Sequence, residues 1–162
     1  MNLYIARHGL AGDHGDLRYP DDSLRELTKE GRKRFEQTVK LLAERGLAPS
    51  LIATSPLVRC RQTAEIMLEH TSCRVPLVEL DELAPGSQLE SLVEWTNSQA
   101  VESVAWVGHA PDVDEMTAAL IGDAAAGIRF AKGAIACLVF DDEIALGRGE
   151  LKWFVTAKVL GC

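Results

Sequence analysis

Cysteine is sparse and dispersed in this chain, with four residues in 162, at Cys60, Cys73, Cys137 and Cys162, and no C-x-x-C spacing. The pattern speaks against a disulfide framework and a zinc site, and fits free thiols that fill small apolar gaps in a reducing compartment. No apolar run approaches the roughly 20 residues needed to cross a bilayer. A charged N-terminal region followed by a long apolar core is also missing, so no signal peptide is expected and a cytoplasmic location is. Basic excess is absent: the net charge of −7 argues against general nucleic-acid affinity, which needs a basic footprint. It leaves phosphorylated substrates open, because a local arginine cluster can oppose the global sign. No internal repeat, linker or low-complexity tract is visible. The chain is 47% hydrophobic and 25% charged, an ordinary globular composition at the size of one domain.

Strand and helix signals alternate along the sequence. Residues 2–6, Asn-Leu-Tyr-Ile-Ala, read as a buried strand, and Arg7-His8-Gly9 follows where it should end. Ligands of open α/β sheets bind outside the carboxyl ends of the strands, so a cation and an imidazole there point to chemistry. Residues 11–23 read as a long surface loop. Asp13, His14 and Asp16 in it could touch a substrate, although a solvated loop is the plainer reading. Thr28 should cap a helix carrying Phe35, Val39 and Leu42 that stops at Gly46. Leu51-Ile52-Ala53 is a short strand, after which Ser55 is expected to cap a helix with Pro56 in its first turn, running to about His70.

Val75–Leu80 reads as a further strand, and a loop over Asp81–Gly86 leads to a short helix capped by Ser87 with Glu90 three residues on. Ser103–Val107 is strongly β-prone, and Gly108-His109-Ala110-Pro111 ends it before a helix that reaches Gly122. Gly133–Asp141 and Glu150–Leu160 read as two strands joined by a short turn, which makes them antiparallel. The expected fold is α/β: a three-layer sandwich with a mostly parallel central sheet, an antiparallel edge and helices on both faces, in one domain over residues 1–162.

Four stretches carry a family resemblance. Arg7-His8-Gly9 resembles the RHG signature of the histidine phosphatase superfamily, and Ser55-Pro-Leu-Val-Arg59-Cys-Arg-Gln-Thr63-Ala64 resembles its S-P-x-x-R-x-x-Q-T-A motif. Gly108-His109-Ala110-Pro111 is similar to its late G-H-x-P motif, and Leu27-Thr28-Lys-Glu-Gly31 to the L-T-x-x-G opening of its first helix. The resemblance implies a phosphoglycerate mutase-like fold. It also implies that His8 is the phosphoryl-accepting nucleophile, and that Arg7, Arg59, His109 and the Ala110 backbone complete a phosphate pocket. The compact length, Asp22-Ser-Leu-Arg-Glu-Leu-Thr28, Glu82-Leu-Ala-Pro85, Lys132–Ala136 and Trp153–Val159 resemble the SixA-type phosphohistidine phosphatases, with Glu26 standing where that pattern has proline. Many superfamily members take a general acid from the loop after the third strand. The matching region is Asp81-Glu82, and Glu82 is the candidate, with a capping or solvated role equally open.

The implied chemistry suits these residue types. Arginine forks meet phosphoryl oxygens in bidentate geometry, and a neutral imidazole is a competent nucleophile. No metal or cofactor is needed, and Arg7 beside His8 would repel a cation from any site built on His8, His109 and Asp81 or Glu82. The resemblance points to a phosphorylated protein substrate, such as a histidine phosphotransfer protein, and to a monomer. A small-molecule phosphomonoesterase of the same superfamily and a non-catalytic phosphate-binding module are the rivals. His14 and His70 have no motif context, and Arg61 falls on a variable position as a solvated helix residue.

Overall fold

A computed structural model describes residues 1–71 and 75–162, so Cys73 lies outside the described residues. Six strands form one sheet in the order β3-β2-β4-β1-β5-β6. They are β1 (Asn2–Arg7), β2 (Leu51–Thr54), β3 (Leu77–Glu79), β4 (Ser103–Gly108), β5 (Ile135–Val139) and β6 (Glu150–Val155). The pairs β1–β4, β2–β4 and β2–β3 are parallel, whereas β5 runs antiparallel to both β1 and β6. This is the expected α/β architecture, a mostly parallel sheet with its antiparallel edge included.

The period-2 alternation of β1 explains why helices are needed on both faces. Tyr4 and Ala6 face a cluster with Phe35, Val39 and Leu42 of α1 (Lys29–Ala43) and Ala64 and Met67 of α2 (Val58–His70). Leu3 and Ile5 face the opposite cluster. It holds Leu92 and Val93 of α3 (Leu89–Asn97), Val113, Met116 and Leu120 of α4 (Asp112–Leu120), and the fully buried Trp106 of β4. The Trp106 indole N–H donates to Thr96 Oγ1 at 3.1 Å, so its burial leaves no donor unpaired.

Several boundaries differ from expectation. α2 begins at Val58 with Leu57 as its N-cap, so Ser55 stands two residues too early to cap it; its hydroxyl accepts from Leu57 N at 3.4 Å and lies 2.9 Å from His109 Nε2. α3 is flanked by Gln88 rather than capped by Ser87. β3 is shorter than Val75–Leu80: Pro76 has no N–H for the ladder, although its carbonyl still accepts from Ile52 N at 3.0 Å. The last two strands are trimmed at both ends of β5 and at the C-terminal end of β6.

Register sets where the site lies. Ala6 pairs with Val107, Val107 with Thr54, and Arg7 with Gly108. The carboxyl ends of β1, β4 and β2 are therefore level at one edge of the sheet. His8, His109 and Ser55 follow directly from three adjacent strands.

Candidate active site

The cleft at this edge has a volume of about 490 Å³, and its wall includes Arg7, His8, Arg25, Arg59, His109 and Lys132. A larger hollow of about 940 Å³ contains Asp141, Asp142, Glu143 and Glu150 in its lining, an acidic wall that repels phosphate. The first cleft is locally cationic in a chain of net charge −7.

His8 is 5% exposed, and its Nδ1 lies 2.7 Å from the Gly9 carbonyl. A carbonyl only accepts, so Nδ1 carries the proton and Nε2 keeps its lone pair, a tautomer assigned from the hydrogen-bond partner. Burial pushes the His8 pKa down to about 3, helped by the charges of His109, Arg59 and Arg7 and opposed by the Gly9 bond. The ring is neutral at pH 7 and chemically able to attack phosphorus. Its backbone is fixed as well. His8 N donates to Gly108 O at 3.0 Å, and Gly133 N donates to His8 O at 3.0 Å.

His109 faces His8 with ring centroids 5.4 Å apart. Its Nε2 lies 2.9 Å from Ser55 Oγ, and its Nδ1 receives an Arg59 guanidinium N–H at 3.4 Å. Burial lowers its pKa to about 4, with Arg59 adding to the effect. Arg59 is 4% exposed, and one of its terminal nitrogens is held by the Asp22 carbonyl at 2.9 Å and the Asp22 carboxylate at 3.1 Å. Arg7 donates to Phe130 O at 2.7 Å, and Phe130 N is in turn held by Asp114 at 2.9 Å. The Nε atoms of Arg7 and Arg59 are buried with no hydrogen-bond partner among the described residues. A buried, unpaired guanidinium donor is costly, and an oxyanion is the ligand that satisfies it.

The second motif holds these groups in place. Thr63 Oγ1 accepts from Gly9 N at 3.0 Å and donates to Arg59 O at 2.7 Å, tying the His8 turn to α2. Gln62 accepts from Leu27 N at 2.8 Å and donates to Glu26 at 3.1 Å. The residue that departs from the family pattern is thus used to brace the loop. Gly31 lets α1 press on the turn after His8, since a Cβ there would stand 2.0 Å from Leu10 O.

Arg7, His8, Arg59 and His109 converge as the sequence predicts, and Ala110, Asp13 and His14 join them on the wall. Glu82 does not line this cleft. It sits in the 3-10 turn Asp81–Leu83, where its carbonyl accepts from Gln88 N at 3.0 Å. The carboxylates on the wall are Asp13 and Asp112, and Asp112 accepts from Gly86 N at 3.1 Å. Asp16 is not among the lining residues and pairs with Arg18 at 2.6 Å. Arg61 pairs on the surface with Glu79 at 3.6 Å, and His70 approaches Glu36 at 3.5 Å. Cys60 is fully buried beside His109, and burial pushes its thiol up to about 12, which keeps it inert. Among the described residues, no group of three or more His, Cys, Asp or Glu side chains is placed to hold a metal ion. No described helix is long and apolar enough to cross a membrane. Sequence reading missed Asp22, Arg25, Asp112 and Lys132; the Asp22–Thr28 stretch was the signal for the first two.

The family model for the histidine phosphatase superfamily, branch 1, matches residues 3–126. The chain belongs to that superfamily. It is therefore a phosphatase by family. An uncharacterized protein of Picosynechococcus is 37% identical over 123 residues, 74% of this chain and 73% of that protein. The protein histidine phosphatase SixA, solved with tungstate, superposes with a TM-score of 0.86 at 25% identity, covering 99% of both chains. A protein from Agrobacterium tumefaciens assigned as the phosphohistidine phosphatase SixA gives 0.79 at 28% identity, over 96% of this chain and 97% of that one. The fold is shared more widely. A protein from Escherichia coli assigned as an α-ribazole-5'-P phosphatase gives 0.71 at 17% identity, over 97% of this chain and 98% of that one.

Proposed function

We propose that residues 1–162 form one catalytic domain that removes phosphate from phosphohistidine on a protein, through a covalent intermediate on His8. His8 Nε2 attacks the phosphorus in line, forming an N–P bond as the substrate's P–N bond breaks. Water then attacks the His8-bound phosphoryl group, releasing inorganic phosphate and restoring the imidazole. Arg7 and Arg59 supply the positive charge that stabilises the equatorial oxygens in both steps, with His109 beside them as a neutral imidazole.

The observation that carries the substrate class is the cleft's poverty in acids. Among the described residues its wall carries two carboxylates, Asp13 and Asp112, and Asp112 serves the Gly86 amide. An alkyl ester needs a proton delivered to its leaving oxygen. A phosphohistidine ring can carry a proton on its far nitrogen and depart as a neutral imidazole, so it needs no acid at the breaking bond. The 25% and 28% identical SixA structures support the same class.

Purified protein is assayed against a phosphohistidine protein and a panel of phosphomonoesters. The phosphohistidine protein should turn over faster, and His8→Ala should reduce release by at least about a thousandfold. Much faster turnover of the esters would overturn the substrate class. A fully active His8→Ala protein would overturn the mechanism.

A further inference from the structure

Asp22 sits in the 3-10 turn Asp22–Leu24, in the loop whose residues Gly12, Asp13 and His14 rim the cleft. Its Oδ1 accepts from Arg25 Nε at 2.9 Å and lies 3.0 Å from His14 Nδ1, while its Oδ2 lies 3.1 Å from Arg59. The Asp22 carbonyl takes the same Arg59 nitrogen at 2.9 Å. One residue thus grips one terminal nitrogen of Arg59 twice, and the other terminal nitrogen rests on His109 Nδ1. Nε alone is without a partner among the described residues. A long side chain at the start of α2 would otherwise sample several rotamers, and an arginine fork is useful only when its plane is fixed.

We infer that Asp22 is a positioning residue: by clamping one arm of Arg59 it reserves the Nε edge of the guanidinium for the phosphoryl oxygens. The inference rests on the phosphatase reading above. Its cost can be measured. The carboxylate is a negative charge against the cations that draw the substrate in, so it weakens ground-state binding of an anion while aligning the transition state. Removing it should therefore separate two quantities that simple damage would lower together.

The experiment compares the full-length wild type with Asp22→Ala, Asp22→Asn and Asp21→Ala. It measures kcat and KM on a phosphohistidine protein, the inhibition constant of inorganic phosphate, and thermal unfolding. Asp21 accepts from Ser23 N and caps the same turn, so its variant loosens the loop without touching Arg59. Asp22→Ala should lower kcat about tenfold or more while binding inorganic phosphate several-fold tighter. Asp22→Asn keeps an acceptor oxygen and should fall between Asp22→Ala and wild type in kcat, and Asp21→Ala should match wild type. Unchanged kcat in Asp22→Ala overturns the inference, as does a kcat loss without tighter phosphate binding or one that Asp21→Ala reproduces. An inert wild type would instead overturn the phosphatase reading itself.

Discussion

At the scale of single residues, the site depends on which donors are already committed. Arg59 spends one terminal nitrogen on Asp22 and the other on His109, leaving Nε to the ligand. Lysine would keep the positive charge but supply a compact ammonium in place of a planar fork. Arg59→Lys should then lower kcat by about a hundredfold, the scale set by losing one preorganised donor to the developing charge. Steady-state assay beside a thermal melt checks this, and near-normal kcat would mean that charge alone suffices. Thr63 illustrates the same economy, its hydroxyl accepting from Gly9 and donating to Arg59.

At the scale of elements, α1 is placed by a residue that helix propensity disfavours. Replacing a helical glycine with alanine usually stabilises by about 1 kcal/mol. Gly31 should reverse that sign, because a Cβ would lie 2.0 Å from Leu10 O, on the turn that follows His8. The expected cost of Gly31→Ala is about 1–3 kcal/mol, the usual range for overpacking, read from urea denaturation. A stabilised variant would show that α1 can withdraw freely from the turn. Strand and helix order, the antiparallel edge and the four convergent residues were legible because hydrophobic period and motif spacing are local signals. Ser55 misled because a serine before a proline and a helix looks like a cap, whereas the helix starts only at Val58 and the Ser55 hydroxyl also meets His109, 54 residues away. Glu82 sits in the 3-10 turn at Asp81–Leu83 and is not among the residues that line the cleft. Asp22 was read within a surface loop because Arg59, 37 residues away, meets it only in the folded chain.

At the scale of the whole molecule, a neutral site costs stability in acid. His8 and His109 are held at about 3 and about 4, below the usual value near 6.5. As pH falls from about 6.5 toward those values, the unfolded chain binds protons that the folded chain refuses. Each histidine then removes up to about 1.4 kcal/mol of stability per pH unit. Asp22, held below its usual value chiefly by its bond to Arg25 with Arg59 adding to the effect, acts in the same direction below about pH 4. The urea midpoint should fall steadily between pH 7 and pH 4, and more gently in His8→Asn; a flat profile in wild type would contradict the buried neutral imidazoles. The strand order has a kinetic consequence as well. β4 lies between β2 and β1, so the partners of His8 across the sheet come from a strand that leaves the ribosome about 100 residues later. Helices form in microseconds, while long-range parallel pairing is slow. During refolding, recovery of activity should lag behind recovery of helical signal, since the insertion of β4 both closes the sheet and delivers His109.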